Sequence, residues 1–195
     1  MDRQDLIKEE GNRFMLPILH HSMETLMKKY KINEKIILES FQNALKELYL
    51  QAEVLQSHER KGSVSYLGIC YCLSSVYTGN YELRLDLYDE EFYLDENVCC
   101  VYWNPDFIVS HLKEDISYFQ RTIRQRVPRV KMYEEQTYVA GYMRNYMYVA
   151  LEFLKQKMPI VLEQVEKDTI KMAKELHVFF GEYMGRCTTV YLYSA

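Results

Sequence analysis

Apolar residues recur every three to four positions in five long segments of the chain, which predicts five helices. Asn33 is a suitable N-cap for the second helix, and Asn104-Pro105-Asp106 is a typical start for the third. Pro159 separates the last two segments, because proline removes a helical hydrogen bond. The predicted helices cover about residues 3–30, 34–59, 105–127, 133–157 and 159–184.

Between the second and third helical segments, the spacing changes to the two-residue alternation of β-strands. This alternation is strict over 82–87. In 63–77, apolar residues occur at both odd and even positions, which predicts a central strand that is buried on both faces. A three-residue loop over Thr78–Asn80 would pair Tyr71 with Leu87, and a two-residue loop would shift that register. Residues 63–103 therefore predict a β meander, to which 188–193 can add an edge strand.

The order of these elements predicts one α+β domain over residues 1–195. Its sheet is expected to be mainly antiparallel, with three to five strands packed by about five helices. The helix over 133–157 is apolar over a wide arc and is expected to be the most buried. Gly141 in this helix is expected to let a neighbouring element approach closely.

The charge balance argues against a protein that binds nucleic acid over its whole surface. Lys and Arg number 24 against 28 Asp and Glu, which gives a net charge of −4. Five cysteines cannot all pair within the chain, and with no basic, apolar leader at the N-terminus they indicate a reducing, cytoplasmic setting. The uncharged stretch 62–81 contains many polar residues, so we interpret it as a buried strand and expect no membrane partner.

Sequence motifs of familiar enzymes are missing from the chain. It has no phosphate-binding glycine loop, no nucleophile elbow, no His-Glu-x-x-His zinc motif and no Cys-x-x-Cys pair. Only seven glycines are present, which also disfavours phosphate-loop folds. We therefore expect no cofactor and a protein that is not an enzyme.

Three carboxylates, Glu82, Asp86 and Asp89, are weak candidates for catalysis. Carboxylates on a hairpin suit metal-dependent hydrolase or nuclease chemistry. Such sites usually include a nearby lysine, however, and no lysine occurs between Lys61 and Lys113. We assign no metal ligand, and we favour a solvated acidic turn over residues 86–96.

The strongest local charge feature is a run of five basic residues near the end of the third helix. Arginine binds two oxygens at once, which suits phosphate or carboxylate groups. Cations at a helix C-terminus also complement the helix dipole, so a purely structural role remains an alternative. The candidate anion- or partner-binding residues are Arg121, Arg124, Arg126, Arg129 and Lys131.

Tyrosine is unusually frequent, and 12 of the 18 tyrosines lie within 63–103 and 133–148. Tyrosine and arginine are enriched at binding hot spots, so we expect a small binding or regulatory protein that contacts another protein or itself through an exposed patch of these residues. The alternatives are a phosphate or nucleic-acid binder acting through the basic run, a metal-dependent hydrolase, and a small-molecule receptor with a tyrosine-lined cavity. The candidate interface or pocket aromatics are Tyr138, Tyr142, Tyr146 and Trp103.

Overall fold

A computed structural model describes residues 2–165 and 169–194. Its helices are α1 (Arg3–Ser57), the short α2 (Ser75–Thr78), α3 (Asp106–Arg126) and α4 (Met132–Gln164), with a 3₁₀ turn at Phe92–Leu94. Its strands are β1 (Val64–Tyr71), β2 (Leu83–Tyr88), β3 (Cys100–Trp103), β4 (Met172–Glu182) and β5 (Cys187–Ser194).

The five strands form one sheet in the order β3-β2-β1-β4-β5. Neighbouring strands are antiparallel except for β1 and β4, which are parallel. The predicted α+β class and mainly antiparallel sheet are therefore confirmed, and β5 is the edge strand expected over 188–193. No helix among the described residues combines the length and apolar character needed to span a membrane.

The chain divides into two compact units. A helical unit consists of Met1–Glu34, Ser74–Asn80 and Asp106–Ala150, and a sheet unit of Lys35–Leu73, Tyr81–Pro105 and Leu151–Ala195. The long helices α1 and α4 contribute residues to both units. That the whole chain behaves as one domain stays a prediction.

The predicted boundary between the first two helices is wrong, because α1 continues from Arg3 through Pro17 and Asn33 to Ser57. Asn33 does not cap a new helix: its side-chain amide donates to the carbonyl oxygen of Lys29, one turn earlier. Buried residues on both sides of Pro17, such as Met15 and Leu26, hold the helix in place across the proline.

The predicted helix over 159–184 is also wrong. Helix α4 runs through Pro159 to Gln164, and the segment from Met172 to Glu182 is strand β4. Met158, Val161 and Leu162 are fully buried, so packing outweighs the hydrogen bond that proline lacks. In β4, alternate residues Leu176, Val178 and Phe180 are buried, which is the two-residue period of a strand. Residues 166–168 of that predicted helix lie outside the described residues.

The predicted hairpin register is shifted by four residues. Leu87 pairs with Leu67, and not with Tyr71, because helix α2 and its flanking turns lengthen the connection. The shift is even, so the same strand faces point inward as predicted. Leu67, Ile69, Leu83, Leu85 and Leu87 form the buried inner face.

Candidate functional site

The three candidate carboxylates do not form a common ligand set. Asp86 lies in a bidentate ion pair with the guanidinium of Arg84 at 2.7–2.9 Å. Burial raises the pKa of Asp86, and the hydrogen bonds from Arg84 oppose that effect. Asp89 accepts hydrogen bonds from the backbone N–H groups of Gly62 and Glu91, and Glu82 is half-buried just before β2.

The geometry of these carboxylates gives no support to metal-dependent hydrolysis. Across the described ranges, no group of three or more His, Cys, Asp or Glu side chains is arranged to hold a metal ion. The predicted solvated turn is in part buried, because the carboxylate of Asp95 forms a buried ion pair with Lys61. The acidic residues of this turn therefore hold the loop in place.

The basic run lies in the helical unit and is partly neutralised there. Arg124 forms two hydrogen bonds with Glu135, at 2.6 and 2.7 Å, which raise the pKa of the guanidinium. Arg126 lies 3.8 Å from a carboxylate oxygen of Glu10 and above the ring of Phe14. Arg121, Arg129 and Lys131 have no ion pair among the residues that the structure describes.

The candidate aromatics fall in different places. Trp103 belongs to the core of the sheet unit, where its indole N–H donates to Ser40 and its ring packs on Phe41. Tyr146 is fully buried in the helical unit. Tyr138 and Tyr142 line an open groove in the same unit. The exposed tyrosines are spread over α2, β3, α3 and α4 at positions Tyr77, Tyr102, Tyr118, Tyr133 and Tyr148.

This groove, called here the helical groove, lies between the first turns of α1 and the first turns of α4. Its volume is about 420 Å³, within the range of ligand-sized cavities. It is lined by Gln4, Asp5, Ile7, Lys8, Asn12, Leu16, Leu19, Thr137, Tyr138, Gly141, Tyr142 and Asn145. All of these residues belong to the helical unit.

Two glycines determine the shape of the helical groove in opposite ways. At Gly11 a Cβ atom would lie only 2.7 Å from the ring of Tyr138, so glycine is what lets this ring lie against α1. The same ring stacks on Phe119 of α3 at 4.2 Å. At Gly141 a Cβ would meet nothing within 4 Å, so the predicted close neighbour is wrong and this position is open space in the groove.

A buried carboxylate fixes the floor of the helical groove from behind. Asp115 of α3 accepts hydrogen bonds from Tyr142 at 2.5 Å, Tyr146 at 2.6 Å and Ser22 at 2.9 Å. These hydroxyls come from α1 and α4, so one side chain connects all three helices. Burial, reinforced by the bond to Asp115, raises the pKa of Tyr142 and Tyr146, and both hydroxyls therefore remain protonated donors.

The chemistry of the helical groove suits binding better than catalysis. Besides the phenols of Tyr138 and Tyr142, its polar groups are three amides, one aliphatic hydroxyl, one carboxylate and one ammonium group, from Gln4, Asn12, Asn145, Thr137, Asp5 and Lys8. The phenol of Tyr138 donates to Asn12 at 3.2 Å, and burial raises its pKa to about 12. A general base needs a pKa near neutrality, which this phenol does not have.

Sequence reasoning found Tyr138 and Tyr142 but missed Asp115, Asn12 and the open side of Gly141. An acid on the apolar face of a predicted helix is a usable signal, because a buried carboxylate needs donors. Asp115 lies in this position, since it follows Leu112 and precedes Ile116. No protein-family model, curated protein or solved structure matches this chain, so the roles of these residues rest on geometry.

Proposed function

We propose that the protein is a non-enzymatic binding protein whose helical groove receives an amphipathic helix of another protein. The observation that carries this proposal is an open groove beside Gly141 on a floor that is already fixed by the Asp115 hydrogen bonds. A floor that is ordered before binding lowers the entropic cost of association.

The length of the helical groove supports an elongated partner. Its lining residues on α1 run from Gln4 to Leu19, which is about 22 Å of helix at 1.5 Å per residue. On α4 they recur every four residues, at Thr137, Gly141 and Asn145, along one helix face. A helix of a partner protein can lie along such a groove, as in other helix-in-groove interactions.

The polarity of the helical groove supports an amphipathic partner. Its floor is apolar, with Ile7 fully buried, whereas its rim carries one acid, one base and several uncharged polar groups. Leu16 at one end is 60% exposed and offers an apolar contact that water now covers. A helix with one apolar face and mixed polar flanks complements this rim, whereas nucleic acid would need an excess of cations.

The experiment is a selection of displayed helical peptides against the whole protein, followed by binding measurements on groove variants. Gly141→Phe fills the groove, and nothing within 4 Å of the new Cβ opposes it. Arg144→Phe is the matched control, because Arg144 is exposed on the same helix but does not line the groove. We expect selected amphipathic helices to bind Gly141→Phe at least about tenfold more weakly and Arg144→Phe unchanged.

Hydrogen exchange on the complex locates the contact independently. We expect slower amide exchange within 4–19 and 137–145. Equal binding of the peptides to both variants would contradict the proposed partner. The same holds if the protein forms dimers through this groove and Gly141→Phe disrupts them.

A second candidate function is recognition of an anion by the basic run. Arg121 and Arg129 support it, because neither forms an ion pair with a carboxylate among the described residues. A fluorescent oligophosphate should then bind with an affinity that falls as salt rises. Arg121→Glu with Arg129→Glu should abolish this binding, whereas binding that both changes leave intact would exclude the candidate.

We also propose a cytoplasmic location. The thiols of Cys70 and Cys99 support it, since both are fully or almost fully buried and burial raises the pKa of both groups. Buried protonated thiols are compatible with a reducing compartment. Fractionation of the native host tests this placement.

A further inference from the structure

The sheet unit has a second concave site, independent of the helical groove, on the sheet face opposite the buried leucines. Its volume is about 300 Å³. We call it the outer-face pocket. It is lined by Tyr66, Phe92, Tyr93, His177, Val178, Phe179, Gly185, Cys187, Thr188 and Thr189.

The strand register builds this pocket from positions far apart in the sequence. Tyr66 of β1 pairs with His177 of β4, and Phe179 of β4 pairs with Thr189 of β5. Gly68 also contributes, because a Cβ there would lie 2.7 Å from the ring of Phe179. The glycine therefore allows this ring to lie on the sheet.

The walls of the outer-face pocket are aromatic rings at inclined angles. The ring of Phe92 lies 4.7 Å from Tyr66, 4.1 Å from Tyr93 and 5.4 Å from Phe179, measured between centroids. The imidazole of His177 lies 5.5 Å from Tyr66, with the two planes 32° apart. Such walls favour flat ligands, which gain contact over a whole ring face.

The polar groups of the outer-face pocket are hydroxyls, one thiol and the imidazole of His177, which lies 3.8 Å from a carboxylate oxygen of Glu175. None of its lining residues is Asp, Glu, Lys or Arg. A phosphate, carboxylate or ammonium group would lose its hydration here without gaining an ionic partner. The hydroxyl of Thr189, which shares the sheet face of Phe179, and the ring nitrogens of His177 can instead hydrogen-bond to the edge of a neutral heterocycle.

Backbone strain marks one wall of the outer-face pocket. Phe92 has a φ of 55°, a left-handed conformation that bulky residues rarely adopt. Its ring is nevertheless held among four other aromatic rings, those of Tyr66, Tyr88, Tyr93 and Phe179. Strain of this kind concentrates at ligand sites, where the surrounding packing enforces it.

We propose that the outer-face pocket binds an uncharged planar heteroaromatic molecule of one or two fused rings. The ring stacks against Tyr66 and Phe92, and its edge nitrogen or oxygen atoms bond to His177 or Thr189. The pocket volume, the aromatic walls and the lack of charged lining residues favour this class over metal ions, anions and saturated molecules.

The experiment is ligand-observed NMR on the full chain with a panel of neutral one- and two-ring heteroaromatics that includes adenine and indole. Adenosine monophosphate and cyclohexanol serve as the charged and the saturated comparison. We expect at least one panel member to bind with a Kd of about 1 mM or tighter, and more tightly than both comparison compounds. Tyr66→Leu should weaken this binding at least about tenfold.

Tyr102→Leu is the matched control, because Tyr102 lies on the same sheet face but does not line the pocket. If Tyr66→Leu does not fold, chemical-shift changes of the His177 ring in the unmodified protein test the same contact. The proposal is overturned if no panel member binds or if cyclohexanol binds equally well. It is also overturned if Tyr102→Leu weakens binding as much as Tyr66→Leu does, or if the His177 ring signals do not change. None of these outcomes affects the helical groove, which lies in the other unit.

Discussion

Tyrosine has different roles in the two units of the molecule. In the helical unit its hydroxyl is the important group, since Tyr142 and Tyr146 both donate to Asp115. In the sheet unit its ring is the important group. The buried hydroxyl of Tyr49 makes no hydrogen bond within the part of the chain that the structure describes, and the rings of Tyr88 and Tyr93 pack edge to face at 5.3 Å.

The two units also differ at one buried acid. The helical unit surrounds Asp115 with hydroxyl donors, although its buried Glu134 and Glu135 are paired with Arg3 and Arg124. In the sheet unit, Asp86 is paired with Arg84 and Asp95 with Lys61. The two concave sites also differ, because the helical groove has open space at Gly141, whereas the outer-face pocket has walls of aromatic rings, one of which lies over Gly68.

The largest expected effect is that of Gly181→Ala in the sheet unit. A Cβ there would lie 2.2 Å from the carbonyl oxygen of Arg186, and backbone cannot move aside as a side chain can. We expect a loss of at least about 3 kcal/mol in the free energy of unfolding, measured with denaturant. Gly185→Ala is the control in the same hairpin, because the atoms nearest its new Cβ are side-chain atoms of Glu182 at 3.0 Å, a much milder contact. Equal stability of the two variants would contradict the backbone contact.

The next effect tests the hydroxyl cluster of the helical unit. Asp115→Ala removes the acceptor of three buried hydroxyls and should cost about 3 kcal/mol of unfolding free energy. Asp115→Asn keeps one carbonyl oxygen and should cost less than half as much. If the two variants are equally unstable in thermal and denaturant unfolding, the hydrogen bonds are not the stabilising interaction.

A pair of Tyr→Phe variants tests the comparison directly. Tyr146→Phe loses a hydrogen bond to a carboxylate and should cost about 1.5–3 kcal/mol. Tyr49→Phe removes an equally buried hydroxyl that has no hydrogen-bond partner among the described residues, so its cost should be near zero or negative. Denaturant unfolding of both variants measures these losses in unfolding free energy. Equal losses would contradict the different roles of the two tyrosine hydroxyls.

His111 is an exception in the helical unit, because its Nε2 atom is buried without a hydrogen-bond partner among the described residues. Burial and Lys29 lower its pKa, while Glu114, Asp115 and Asp106 oppose them. The unfolded chain therefore binds this proton more readily, and stability should fall as the pH drops below about 6.5, by at most about 1.4 kcal/mol per pH unit. His111→Leu should flatten this slope in unfolding curves between pH 7.5 and 5. An unchanged slope would assign the dependence to other groups.

The smallest effect concerns the open side of the helical groove. Gly141→Ala should stabilise the protein by about 0.5–1 kcal/mol, because alanine favours the helix and its Cβ meets nothing within 4 Å. Gly11→Ala in the same unit should destabilise, since its Cβ would contact the Tyr138 ring. Thermal unfolding measures both, and a destabilising Gly141→Ala would mean that the groove is closed.

Much of the local structure was predictable because its signals lie close together in the sequence. The alternation around Leu83–Leu87 predicts β2, and Asn104-Pro105-Asp106 predicts the start of α3. The continuation of α4 through Pro159 was not predictable from the local sequence, because burial at Met158, Val161 and Leu162 outweighs a missing hydrogen bond. Strand β4 was missed because a short apolar run fits both a helical and a β period.

The sequence by itself determined the α+β class, the inner face of the meander and the concentration of tyrosine, since these depend on spacing between near neighbours. Only the tertiary structure decided that Asp115 meets Ser22, Tyr142 and Tyr146, or that Tyr66 lies beside His177. Those contacts join positions that are 27 to 111 residues apart, and they depend on packing and register that no local pattern encodes. Both proposed binding sites are made of such contacts.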